Sequence, residues 1–109
     1  MNGSNNQTST RALRVFEPAQ DVVYSLDATA RIVDVPRRTI LVYYRHGLVA
    51  PASDPAREGY YFSGEAIREL CRIEFLRRRC GINLTGARII LQLTREVERL
   101  RHEVEGLQA

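Results

Sequence analysis

The stretch VPRRTILVYYRHGLVAPASDPAREGYYF, Val35 to Phe62, decides how the chain folds. It reads as a helix, a glycine stop and a small two-stranded wing. Asp34 is expected to accept backbone N–H bonds at the helix start, Pro36 suits a first turn where no donor is needed, and Gly47 suits a left-handed stop. That leaves about eleven helical residues. On a 3.6-residue wheel Ile40, Tyr43, Thr39 and His46 share a side expected to pack, whereas Arg37, Leu41, Arg45 and Arg38 share a side expected to meet a partner. Three guanidiniums there suit phosphate or carboxylate, and Leu41 places an apolar group among them.

Working outward, Leu48–Val49–Ala50 and Tyr60–Tyr61–Phe62 flank a loop containing Pro51, Pro55 and Gly59, which predicts a hairpin, the wing. Arg57 near its tip either reaches a backbone phosphate or stands in solvent. Upstream, Ser25 reads as an N-cap, Asp27 favours the positive helix start, and Leu26, Ala30 and Val33 recur at helical spacing up to Ile32 or Val33. Two short helices joined by a tight turn make a helix-turn-helix. Val22, Val23 and Tyr24 before them form a short edge strand or a hydrophobic staple.

Downstream, Ser63 caps a third helix whose inner stripe is Ile67, Leu70, Ile73, Leu76 and Cys80, widened by Cys71 and Phe75 and ended by Gly81. The run Arg77–Arg78–Arg79 either contacts nucleic acid or complements the negative end of this helix. Asn83 starts the last helix, in which Ile90, Leu93, Val97, Leu100, Val104 and Leu107 step by 3, 4, 3, 4 and 3. This is an a/d seam with β-branched residues at a and Leu at d, expected to bind another copy of itself or another helix. Glu96 at g and Arg101 at the following e attract across a parallel pair, whereas two Glu-bearing g edges repel in an antiparallel one.

The chain has 109 residues, 44% of them hydrophobic, enough for one small domain with a modest core. All 16 basic residues are Arg, against 13 acids. The excess is uneven: residues 63–90 carry six Arg and three acids, while residues 25–62 carry five and four. A pI of 9.2 therefore supports a nucleic-acid partner only weakly. Residues 1–20 predict a disordered tail, with Leu13, Val15 and Phe16 as a loosely docked lead-in that stops at Pro18. Cys71 and Cys80 lie roughly 13 Å apart along one predicted helix and on opposite faces, so they do not pair. No metal-ligand cluster, phosphate-binding glycine loop or nucleophile–base set is legible, so neither a cofactor nor an enzyme is expected. With no signal peptide or long apolar run, the expected setting is the cytoplasm and no membrane is implied.

The order Tyr24-Ser25-Leu26, Val35-Pro36 through Tyr43, Gly47-Leu48-Val49-x-Pro51, Tyr61-Phe62-Ser63 and Gly81-Ile82-Asn83-Leu84-x-Gly86 resembles the MerR superfamily over about residues 22–107. The closing glycine motif followed by the Ile/Leu seam is similar to its heat-shock branch, which holds repressors of chaperone genes and CbpM-like chaperone modulators. The resemblance implies an all-α fold with a small β wing. A winged helix-turn-helix domain (21–88) is followed by a C-terminal coiled-coil dimerisation helix (89–109).

In the DNA-binding members the second helix enters the major groove and the wing grips the backbone. That places Arg37, Arg38, Arg45 and Arg57 on phosphates, with Thr39 and Tyr43 near the groove. In the modulators the same body binds the J-domain of a DnaJ-like co-chaperone. Leu41 stands where DNA-binding members usually have Arg, and Tyr60 and Tyr61 stand where their wing is usually basic, which is closer to the modulators. The resemblance implies no small-molecule effector, since the chain ends where longer relatives place that domain. Two partners stay open: duplex DNA for a chaperone-linked regulator, or a J-domain protein.

Overall fold

The computed structural model describes residues 22–108; the tail and lead-in expected over residues 1–20 lie outside them. The described elements are β1 (Val23–Ser25), α1 (Leu26–Val33), α2 (Arg37–Arg45), a one-turn helix α3 (Pro55–Glu58), β2 (Tyr61–Ser63), α4 (Gly64–Glu74) with a π-helical continuation (Phe75–Arg79), and α5 (Leu84–Gln108). This is the helical architecture with a two-stranded sheet that the sequence predicts.

Each strand runs straight into a helix through a serine. Ser25 Oγ accepts from Ala28 N and Ser63 Oγ from Ala66 N, both at 3.1 Å, which satisfies one orphan donor at the start of α1 and of α4. The strands pair antiparallel, Val23 with Ser63, Tyr24 with Phe62 and Ser25 with Tyr61. The expected hairpin is thus corrected: β2 pairs with β1, and Leu48–Val49–Ala50 is not a strand. Leu48 and Val49 are both buried, at 1% and 4% exposure, which the alternation of a half-exposed strand does not allow, and Pro51 offers no donor. One bond, Ala52 N to Tyr61 O at 2.8 Å, ties that segment to β2.

Asp34 is also corrected. It is not the cap of α2 but the left-handed end of α1, at φ 66°, with its N–H on Ala30 O at 2.8 Å. Asp tolerates this conformation better than most residues. Pro36, extended and without a side-chain cap bond, precedes α2, which is nine residues long. Gly47 takes the left-handed stop at φ 75°. Val35, Ile40, Tyr43, Leu48 and Val49 then close over Phe62, Ala66, Leu70 and Ile73 as one core.

Along α4 the stripe holds for Ile67, Leu70 and Ile73, all at 0% exposure, and then breaks. The extra residue in the π turn, closed by Cys80 N on Phe75 O at 3.2 Å, rotates this end of the helix out of register with the stripe. Cys80, after the turn, is left exposed, and Phe75, at its start and about 200° round the helix from Ile73, is 52% exposed, both against the packing expected of them, while Leu76 stays half-buried. Asn83 Oδ1 accepts from Gly86 N at 2.8 Å to start α5. Gly86 itself is required: a Cβ there would stand 2.7 Å from Ile82 Cγ2. Only Ala87 and Leu91 of α5 are buried; Arg95 grips Glu69 with two bonds of 3.0 Å and Arg72 meets Glu98 at 3.5 Å, after which the helix runs past the body.

Two groups in this core give measurable consequences. Thr29 is fully buried and its Oγ1 has no hydrogen-bond partner among the described residues. Thr29→Val keeps the shape and removes the unpaired hydroxyl, so it should stabilise the fold by about 1 kcal/mol and raise the melting temperature by about 5 °C. A lower melting temperature would show that the hydroxyl has a partner.

Tyr43, 3% exposed, donates its phenolic proton to Glu74 Oε2 at 2.5 Å. Burial, that bond and the Glu74 charge together push the phenol from 10 up to about 12, opposed by Arg77. A raised folded value favours the neutral phenol, so its contribution is complete below pH 10 and is lost as pH rises from 10 through 12. Tyr43→Phe should cost about 1.5–2 kcal/mol at neutral pH and remove this alkaline slope. Denaturant midpoints of the two proteins from pH 7 to 12 test it; parallel curves would exclude the linkage.

Candidate nucleic-acid interface

The second helix of the helix-turn-helix presents a mixed face. Arg37, Arg38 and Arg45 are exposed, Thr39, Leu41 and Val42 half-buried, and Ile40 and Tyr43 buried. Arg38 and Arg45 are two turns, about 10 Å, apart on one side, with Leu41 and Val42 at the intervening turn. The wheel thus orders the arginines and Leu41 as expected, but His46 on the packing side is exposed; its ring Nδ1 donates to Val42 O at 2.9 Å and closes the end of α2.

Tyr43 does not reach this face. Its ring lies in the core with the Arg77 guanidinium 5.9 Å from the centroid, so it sets how α2 sits on α4 and does not stand at a groove. Glu74 is the hub of that contact, since its other oxygen takes Arg78 Nε at 3.1 Å. The Arg77–Arg78–Arg79 run therefore divides: two members fold back onto Tyr43 and Glu74, and Arg79 stays exposed. Glu74 carries no periodic signal in the sequence. A buried tyrosine needing a partner for its hydroxyl is the sign that could have pointed to it.

In the wing, Asp54 Oδ1 accepts from Ala56 N at 3.0 Å and starts α3, which places Arg57 in solvent. Tyr60 is half-buried and meets Tyr44 edge-on, with centroids 5.7 Å apart and planes at 74°. Tyr61 is 40% exposed beside a shallow groove lined by Val23, Ala52, Ser53 and Glu58, with no basic group.

The charged groups are not equivalent. Arg37 Nη1 pairs with Asp27 Oδ1 at 3.0 Å, whereas Arg38, Arg45 and Arg57 have no acid partner among the described residues. Wheel geometry places these side chains but does not tell which are engaged, and Asp27, ten residues before Arg37, gave no sign of the pairing. Burial holds the Cys71 thiol above its ordinary range, and the nearby Glu74 charge adds to this. Among the described residues no helix is long and apolar enough to cross a membrane.

No curated protein and no solved structure matches the chain. The family model described as "MerR HTH family regulatory protein" matches residues 24–94, from β1 through the docked turns of α5. With the helix-turn-helix, the short sheet and the long final helix in that order, the chain belongs to the MerR family of helix-turn-helix regulatory proteins.

Proposed function

We propose that the protein is a transcription regulator that binds duplex DNA as a homodimer, with a link to chaperone control. The observation that carries the DNA reading is the set of three exposed guanidiniums, Arg38, Arg45 and Arg57, that no acid of the described chain neutralises. In this reading α2 lies in the major groove with Arg38 and Arg45 on phosphates of its walls, and Arg57 holds the flanking backbone from the wing. Leu41, between Arg38 and Arg45, faces the base edges, where a leucine meets a thymine methyl, and Thr39 lies round the helix toward the body. Support for the chaperone link is the Gly81-Ile82-Asn83-Leu84-x-Gly86 motif alone.

The homodimer rests on α5. Leu93, Val97, Leu100, Val104 and Leu107 are 45–87% exposed along one seam of a 25-residue helix, and the body covers none of them. Ile90, half-buried, heads the seam where the helix is still docked. A second copy of α5 is the cover this pattern fits.

A specific observation favours a second partner class, a J-domain co-chaperone bound by the same face. Leu41 and Val42 are partly exposed between Arg38 and Arg45, an apolar centre with a charged rim.

Titration of a promoter fragment from the protein's own locus and of random duplex, across a salt series, separates these. Arg38→Gln, Arg45→Gln or Arg57→Gln should each flatten the salt dependence by about 0.9 per protomer and weaken all sequences alike. Equal affinity of the native protein for promoter and random duplex, with a nuclease-resistant complex with a J-domain protein that Leu41→Glu abolishes, would replace the DNA reading with the second. In sedimentation at tens of micromolar the protein should run at twice its 12.4 kDa subunit mass, and Val97→Glu with Leu100→Glu should run as single subunits. A native protein that sediments as single subunits would remove the homodimer.

A further inference from the structure

Among the described residues every aspartate and glutamate is exposed except two, Glu69 and Glu74, both on α4, whose side chains are 25% and 13% exposed. A carboxylate that gives up hydration needs protein partners for its oxygens, and both have them. Glu69 takes Arg95 of α5 through both oxygens at 3.0 Å. Glu74 takes the Tyr43 hydroxyl of α2 on one oxygen at 2.5 Å and Arg78 of the π turn on the other at 3.1 Å. Five positions apart, the two stand about 140° from each other round α4, one turned to the helix-turn-helix and the other to the long helix. The apolar part of each joint is small: α2 buries Ile40 and the Tyr43 ring, and α5 buries Ala87 and Leu91. Apolar contact is non-directional, whereas a charge-assisted bond, above all a bidentate one, fixes an angle.

We propose that Glu69 and Glu74 are positioning residues that fix α2 relative to α5 through α4, and so set the half-site separation that the homodimer accepts; the inference rests on the DNA and homodimer readings above. With two copies joined along the α5 seam, the distance and angle between their α2 helices are carried, in each protomer, along α5, across Glu69, along α4 and across Glu74. A site with one base pair more or less between its halves moves one half by about 3.4 Å and turns it by about 35°. With both joints intact, the dimer seats one α2 and strains to seat the other. With either joint loosened, the second α2 follows the displaced half-site at little cost, and discrimination by spacing is lost.

The test compares affinity for the promoter fragment with affinity for versions that have one base pair inserted or removed midway between its half-sites. The native protein should prefer the native spacing by more than about tenfold, the order of a bond to a charged group. Glu74→Gln and Tyr43→Phe should each lower that preference by about tenfold. The double variant should lower it no further than the stronger single one, since both open one joint. Glu69→Gln should lower it from the other side. Tyr43→Phe changes no charge and should leave the native salt slope. Ile67→Val removes a fully buried methylene from the same helix without touching either joint, so it lowers stability and should keep the native preference. A preference that Ile67→Val lowers as far as Glu74→Gln, or that Glu69→Gln and Glu74→Gln leave at the native value, would overturn the proposal. So would a native dimer indifferent to spacing. Each of these results leaves the DNA reading standing where the promoter is still preferred to random duplex. A native protein that binds no duplex, or binds it as single subunits, would sink the inference together with the reading beneath it.

Discussion

Three ladder positions, Val23 with Ser63, Tyr24 with Phe62 and Ser25 with Tyr61, hold the rest of this structure in place. Between the two strands lie α1, the Asp34 turn, α2 and the whole wing, so the sheet closes a loop of some 35 residues, at an entropy cost of about 3 kcal/mol. A two-stranded ribbon does not supply that by itself. Phe62, at 0% exposure in the middle of β2, does: it plugs the core formed by Ile40, Tyr43, Leu48 and Leu70. Because each strand ends in the serine that caps the next helix, the same ladder sets where α1 and α4 begin. The orientation of α2, and with it the direction in which its arginines point, is fixed by where those two helices stand.

The features legible in the sequence are those that depend on a few neighbouring residues. Ser25, Ser63 and Asn83 cap because a short oxygen side chain next to an apolar run has few better options, and Gly47 and Gly81 end helices because the left-handed turn costs them nothing. Asp34 misled for the same local reason. An Asp two residues before a proline looks like a cap, but the carbonyl of Ala30 held its N–H first and turned it into the end of the preceding helix. The hairpin failed on a non-local fact, since Val23 and Tyr24, nearly forty residues upstream, outcompete Leu48 and Val49 for β2. The π turn has no periodic sign at all, and it moves Cys80 out of the stripe, whereas Phe75, ahead of the turn, stands about 200° round the helix from Ile73 in any case.

The candidate site shows the same division. A helical wheel sorts Ile40 and Tyr43 inward and the arginines outward, and the structure agrees; the family resemblance, which set Tyr43 near a groove, is overruled for that residue by its burial and its bond to Glu74. No wheel, however, says that Arg37 is held while Arg38 has no acid partner among the described residues. That depends on the crossing of α1 and α2, which brings Asp27 to Arg37. What the fold adds to the wheel is therefore which cations of this face are paired among the described residues, and which are not.

The direction in which two copies of α5 would pair is affected by a similar detail. From the sequence, Glu96 attracts Arg101 of a parallel partner. In the structure Glu96 is held by Arg99 of its own helix, which also engages Glu103, so the charge that favours the parallel arrangement is already spoken for. Exposed pairs of this kind contribute about 0.3–0.5 kcal/mol each, enough to stiffen a helix that has left its domain but too little to choose a partner's direction. That choice falls to the apolar seam. Its residues from Val97 onward have no cover from the body, and a segment of that length is marginal alone in water, so the energy that keeps it helical has to come from whatever buries Val97, Leu100 and Val104.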